Sequence, residues 1–202
     1  MPLIRNNGGG PPAQDQDARA LLSGGTVDER WRAARALAGL PGEVEALGKA
    51  LSQETDARVR EAIFTSLISS STAESIEAIL PHLRSDDANL RTGALDALRA
   101  MPAAARPYLP ALLADEHPDV RLLSCEIARA LSSAQATPLL CDLLDREAEA
   151  NVCAAAIDVL ADIGTPAECA ALTACSKRFP NEVFLNFSIK TAMERITSRN
   201  GA

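Results

Sequence analysis

Apolar residues recur along the chain with helical spacing, in stretches that return about every 31 residues. The clearest two stretches are DARVREAIFTSL at 56–67 and DANLRTGALDAL at 87–98. In each of them, apolar or small residues stand at an anchor position and again four, seven and eight residues later. This spacing places them on one face of an α-helix and does not fit the alternation of a β-strand. Each stretch therefore predicts an amphipathic helix.

The same pattern can be placed along most of the chain. Its anchor positions are Glu29, Val59, Leu90, Val120, Val152 and, in a weaker sixth copy, Leu185. A second helical stretch lies between successive copies, at 42–53, 72–84, 103–115, 135–146 and 166–178, and Pro or Gly stands at most of the joins. We expect Pro107 and Pro110, inside one of these stretches, to bend or shorten it. The repeating unit is thus a pair of helices.

Amphipathic helix pairs bury their apolar faces only by stacking on one another, so the repeat predicts an all-α solenoid. We expect about six pairs that form one continuous domain over residues 13–198. Residues 1–12 are rich in Gly and Pro, and we expect a disordered N-terminal tail there. Residues 199–202 are expected to form a short C-terminal tail.

The motif D-x-x-V-R-x-x-A, with Leu eight residues after the anchor, resembles HEAT repeats. It is most similar to the short bacterial type named after phycobilisome lyases, and the resemblance covers nearly the whole chain. It implies a right-handed α-solenoid in which the anchor helices line the concave side. It also implies that an Arg after the anchor, together with a preceding Asp, ties successive repeats together through hydrogen bonds. The matching residues are Arg30, Arg60, Arg91, Arg121, Asp56 and Asp87.

The fifth copy departs from this pattern. Cys153 stands where the next ladder arginine would be, and we expect its side chain to be partly exposed.

Charged residues recur on the anchor helices. Asp96 with Arg99, and Glu126 with Arg129, form i,i+3 pairs on one exposed face. Two interpretations stay open: a solvated surface laced with salt bridges, or a charge-striped groove that binds a protein partner. On the second interpretation, the candidate partner-binding residues are Trp31, Arg35, Asp96, Arg99, Glu126, Arg129 and Asp158.

The last copy adds a possible apolar contact patch. Phe184 and Phe187 fall beside the core stripe that contains Leu185 and Ile189. They either pack on the preceding helix or form an exposed patch of the kind that marks a partner or self-association surface.

Composition narrows the chemistry. The formal charge of −7 disfavours nucleic acid as a partner. The chain shows neither a signal-peptide run nor a stretch of about 18 uncharged apolar residues, so we expect a cytoplasmic protein without a membrane partner. The odd number of cysteines fits a reducing compartment. They lack close ligand spacing, so we expect core packing and neither a metal nor a cofactor. They are Cys125, Cys141, Cys153, Cys169 and Cys175.

Enzyme signatures are missing from the sequence: it contains no Gly-rich phosphate loop, no recognisable Ser–His–Asp arrangement and no paired His-Glu motifs. The sequence therefore favours a non-enzymatic scaffold or adaptor whose concave face binds a protein partner of unknown identity. The family resemblance alone leaves one alternative, a protein like the bilin lyases or their chaperones, or an accessory protein of cofactor maturation.

Overall fold

The computed structural model describes residues 13–200, and side chains over residues 17–199. Every regular element in this range is helical, so the predicted all-α fold is confirmed. Within the described residues the helices follow one another as six pairs, and the two members pack against each other in the pairs that lie within a single compact unit. The tail predicted at 1–12 lies outside the described residues.

The helices fall into two compact units, one ending at Ala78 and the other beginning at Ile79. The first unit contains α1 (Ala13–Gly24), α2 (Val27–Ala36), α3 (Val44–Gln53), α4 (Ala57–Ser70) and most of α5 (Ala73–Ile79). Helix α2 packs on α1 and on α4. The turn between α2 and α3 contains Gly42 at φ +81°, a backbone conformation that glycine adopts without strain.

The second unit continues the same alternation. Its α-helices are α6 (Ala88–Ala100), α7 (Pro102–Ala105), α8 (Leu109–Leu112), α9 (Pro118–Ala128), α10 (Ser133–Arg146), α11 (Ala150–Ile163), α12 (Cys169–Arg178) and α13 (Val183–Asn200), and short 3₁₀ segments span Leu80–Arg84, Arg106–Tyr108 and Pro166–Glu168. The anchor helices α6, α9, α11 and α13 pack side by side in that order. Whether the two units form one continuous right-handed array stays a prediction.

Prolines shorten the helix that precedes α9, as expected. The stretch predicted as one helix at 103–115 is divided into α7, a 3₁₀ turn and α8. Pro107 lies in the 3₁₀ turn and Pro110 in the first turn of α8, where a missing backbone N–H removes no intrahelical bond.

The C-terminal boundary differs from the prediction. Helix α13 continues through Asn200, so Arg199 belongs to the helix and not to a tail. Its guanidinium donates to the carbonyl oxygens of Gly164 at 2.6 Å and Ala161 at 3.2 Å. These bonds tie the last turn of α13 to the end of α11, which explains why the helix does not stop at 198.

The stripe that the periodicity marks lies in the core. Val59, Ile63 and Leu67 of α4 are fully buried, as are Ala94 and Leu98 of α6. Because these residues come from the anchor helices, the opposite side of those helices is left for the charged residues.

Candidate functional site

Two of the ladder arginines join neighbouring repeats through carboxylates. Arg30 donates from Nε and Nη2 to Glu54 at 2.7 and 3.0 Å, and Arg121 does the same to Glu147 at 2.7 and 2.8 Å. Both are two-point contacts between a guanidinium and a carboxylate, the geometry that Arg favours. The predicted role of these two arginines in tying repeats together is confirmed.

The ladder arginines also hold the loop that precedes their own helix. Arg60 Nε donates to the carbonyl oxygen of Glu54 at 2.7 Å, and Arg91 Nη1 to that of Ser85 at 2.6 Å. Arg121 repeats the pattern at the carbonyl of Asp115, at 2.8 Å. In these three repeats the acceptor lies six residues before the arginine, so the bond recurs from the second repeat to the fourth.

The two aspartates of the motif cap their helices. Asp56 accepts from the backbone N–H groups of Arg58 and Val59 at 3.0 and 3.1 Å. Asp87 accepts from the N–H groups of the equivalent residues at the start of α6, at 2.9 and 3.3 Å. Their position three residues before the anchor is therefore explained by N-capping.

The expectation for Cys153 was wrong, because its side chain is fully buried. The carbonyl oxygen of Glu147, which an arginine at position 153 would bind, accepts from Arg178 of the next helix pair and, over 4.0 Å, from the thiol of Cys153 itself. Because Arg178 binds this carbonyl, position 153 does not need an arginine and can hold a small apolar side chain. The charged donor that a ladder arginine supplies within its own repeat is here supplied by a later repeat.

Buried carboxylates are the residues that the sequence pattern missed. Glu43, Glu54 and Glu147 are all buried, and each receives a two-point contact from an arginine 24 or 26 residues away. Two of these glutamates could have been found from their position in the repeat, because Glu54 and Glu147 both stand five residues before an anchor.

Hydrogen bonds hold two of these glutamates in the charged form. Burial acts to raise the pKa of Glu147, but hydrogen bonds from Arg121 and from the N–H groups of Glu149 and Ala148 outweigh it, so the pKa lies below its ordinary value. The pKa of Glu54 is lowered in the same way, against burial, by Arg30 and by two backbone N–H groups.

Arg129 gathers the predicted charged residues of the second unit into one network. It donates to Glu126 through two bonds of 3.1 Å, to Asp158 of α11 at 2.5 Å, and also to Asp162. Asp162 in turn accepts from Arg195 of α13 at 2.8 Å. Hydrogen bonding to Glu126 and then to Asp158 raises the pKa of Arg129, so its positive charge is permanent.

The remaining predicted pair of this unit is looser. Asp96 and Arg99 approach only to 3.7 Å, and the Asp96 side chain is 64 % exposed. We call the outward sides of α6, α9 and α11 that carry Asp96, Arg99, Glu126, Arg129, Asp158 and Asp162 the charged face. Asp158, 65 % exposed, is its most prominent carboxylate on α11.

Half-buried apolar residues lie within the charged face. Leu122 and Leu123 precede Glu126 by four and three residues, so they share its side of α9. Ala154 and Ala155 stand in the same relation to Asp158 on α11. The charged face therefore combines carboxylates with an apolar strip.

Trp31 and Arg35 lie in the first unit and form a separate cluster. The guanidinium carbons of Arg35 and Arg58 lie 4.6 and 4.7 Å from the centre of the Trp31 ring, a cation–π geometry. Arg58 also donates to Asp28 at 2.9 Å. Arg58 was not a sequence candidate, because its closeness to Trp31 follows from the packing of α2 on α4.

Phe184 and Phe187 are mostly exposed. Their exposures are 74 % and 66 %, and the neighbouring Val183 reaches 82 %. Of the two interpretations left open by the sequence, the structure supports the exposed patch, because both rings lie at the surface.

The cysteines are core or near-core residues. Cys125, Cys153 and Cys175 are buried, whereas Cys141 and Cys169 are half-buried, and all five are free thiols. Burial raises the pKa of Cys125 to about 12, and a hydrogen bond to Cys175, together with burial, raises that of Cys153. Over the side chains that the structure describes, no three His, Cys, Asp or Glu residues are grouped as a metal site. No helix between residues 13 and 200 is long and apolar enough to span a membrane.

Stacked helix pairs with arginine-mediated ties define this chain as an all-α helical-repeat protein. The sequence profile of HEAT repeats matches residues 17–99 and 105–184, and the chain belongs to this family.

Several solved structures match this chain over most of its length at low identity. An engineered protein is 19 % identical with a TM-score of 0.44, covering 92 % of this chain and 97 % of its own. A structure titled as the complex of CpcE and CpcF of phycocyanin lyase from Nostoc sp. PCC7120 is 19 % identical with a TM-score of 0.42, covering 98 % and 99 %. A second engineered protein is 18 % identical with a TM-score of 0.43, covering 91 % and 98 %. No curated protein matches the chain.

Proposed function

We propose that the protein is a non-enzymatic cytoplasmic scaffold whose charged face binds a segment of a protein partner. The observation that carries this proposal is the set of contacts made by Arg129, which joins carboxylates from α9 and α11 into one partly exposed array. Exposed ion pairs contribute little to stability, about 0.2–1 kcal/mol each. Recognition of a partner accounts for such an array better than folding does.

The composition of the charged face indicates the kind of segment that it fits. The half-buried leucines of α9 and alanines of α11 offer an apolar strip, and Asp96 and Asp158 stand out beside it as the most exposed acids. A partner segment with apolar side chains along one side and a basic residue at its edge complements both features. Because Arg129 already holds Glu126, Asp158 and Asp162, little side-chain freedom is lost when the partner binds.

Charge reversal at the two exposed acids tests the proposal. The variant Asp96→Lys with Asp158→Lys leaves Arg129 bonded to Glu126 and Asp162, so we expect it to fold. The matched control is Asp142→Lys with Asp145→Lys, because these are also exposed acids but lie on α10. Affinity purification from the native cell with the wild-type chain supplies the partner, and the association rate is then measured with each variant.

Of the two double variants, we expect only the one at Asp96 and Asp158 to associate more slowly than wild type. We also expect the association rate of the wild-type chain to fall with added salt. Equal association rates for the two double variants would contradict the proposal. An absorbance spectrum of the purified protein separates this function from that of a bilin-handling accessory protein, for which a chromophore band is expected.

A further inference from the structure

Helix α13 presents an apolar surface that no described residue covers. Val183, Phe184 and Phe187 are the most exposed large hydrophobic residues between 17 and 199, at 82, 74 and 66 %. A contiguous patch of this kind usually marks an interaction surface.

A groove runs along the same helix. It is an open depression between α12 and α13, with a volume of about 770 Å³ and with Ile189 and Met193 among its lining residues. Thr173 and Ser176 of α12 form its other wall, and Thr197 lines it near the end of α13. Ile189 and Met193 give the groove apolar surface on which a large side chain from another helix can pack.

The outer edge of α13 has the residue spacing of a helix-pairing seam. Val183, Phe187, Lys190, Glu194 and Thr197 follow one another at intervals of four, three, four and three residues. Residues at this spacing lie on one stripe of the helix, the kind of stripe that packs on a second helix in a coiled coil. The stripe is apolar in its first half, and its centre carries Lys190 and Glu194, whose charged groups lie 3.9 Å apart.

When two copies of α13 run antiparallel, the charges of one stripe are complementary to those of the other. In an antiparallel pair of α13 helices, the register that brings Lys190 opposite the second copy's Glu194 also brings Glu194 opposite the second copy's Lys190. The same register places Phe187 opposite the second copy's Thr197, at the groove. Such a contact is two-fold symmetric and closed, as in most homodimers.

We propose that α13 is a homodimerisation surface on which two copies of this chain pack antiparallel, with Phe187 of each copy entering the groove of the other. An 18-residue helix is about 27 Å long, so the contact is a single helix pair, and we expect a weak dimer that forms at high protein concentration. None of these residues belongs to the charged face, so a negative result for the dimer would leave the proposed function untouched, and the reverse also holds.

Sedimentation or light scattering over a concentration series tests the dimer, and charge variants test its register. Lys190→Glu places like charges opposite each other in the homodimer, and Glu194→Lys does the same with opposite sign. We expect each variant alone to dissociate about tenfold more readily than wild type, because two cross-helix attractions become repulsions. An equimolar mixture of the two variants restores complementary pairs, and we expect it to dimerise.

Two controls complete the experiment. Lys177→Glu makes the same charge change on the exposed part of α12 and should leave the dimer intact, whereas Phe187→Glu should abolish it. Helix content, measured by circular dichroism, establishes that each variant is folded. A wild-type chain that stays monomeric at every concentration, or a variant mixture that does not dimerise, would overturn the proposal. The first result would point instead to a helix of a different protein as the occupant of the groove.

Discussion

Arg178 of α12 donates a hydrogen bond to the carbonyl oxygen of Glu147, which lies 31 residues earlier in the chain. It donates a second bond to the carbonyl of Leu144, at the end of α10. In the preceding repeats the equivalent carbonyl is bound by the arginine of its own repeat, but that position holds Cys153. A later repeat therefore supplies the guanidinium that this repeat lacks.

Removal of this donor should destabilise the second unit. We expect Arg178→Ala to lower the free energy of unfolding by about 1.5–3 kcal/mol, the usual contribution of hydrogen bonds from a charged group. Lys177→Ala is the matched control, because Lys177 is the adjacent exposed cation of α12. Chemical denaturation measures both variants, and equal midpoints would show that the bonds of Arg178 contribute nothing.

The buried glutamates make stability depend on pH. The pKa values of Glu54 and Glu147 are lower in the folded chain than their ordinary value of about 4.3. Their contribution to stability is therefore complete above that value and is lost as the pH falls through the lowered, folded-state pKa.

Glutamine substitutions test this dependence. In Glu54→Gln with Glu147→Gln, we expect lower stability at neutral pH and a flatter decline of stability with acid than in wild type. The control is Glu45→Gln, at an exposed position of α3. Thermal denaturation between neutral pH and about pH 3 gives the curves, and parallel wild-type and double-variant curves would show that these carboxyls do not titrate with folding.

Substitution of leucines in the core stripe should lower stability strongly but locally. Leu67→Ala and Leu98→Ala each leave a cavity at a fully buried position, so we expect each to cost about 2–5 kcal/mol. In a repeat protein the loosening should concentrate in the altered pair and its immediate neighbours. Amide hydrogen exchange is the measurement, and uniform loosening along residues 13–200 would contradict this expectation.

The single tryptophan reports on the cluster in the first unit. We expect Arg58→Ala to expose more of the Trp31 ring, shift its fluorescence to longer wavelength and cost about 0.5–1 kcal/mol, because one cation–π contact is lost. Arg32→Ala is the control, since Arg32 is an exposed neighbour on α2. An identical spectral change in both variants would show that the stacking of Arg58 does not set the environment of the ring.

The sequence by itself determined the helix pairs, their order and the core stripe of α4 and α6. These features are local: apolar spacing within one turn defines a helix face, and Asp, Pro and Gly mark helix ends through their own backbone preferences. The broken helix around Pro107 and Pro110 was predictable for the same reason.

Only the tertiary structure decided which side chains meet. The contacts of Arg178 with Glu147, of Arg121 with Glu147 and of Arg129 with Asp162 join residues 31, 26 and 33 positions apart. Such contacts depend on how far each helix is rotated and displaced against the next, and the apolar repeat does not encode these quantities. For the same reason, the burial of Cys153 and the exposure of Phe187 followed from packing and not from pattern.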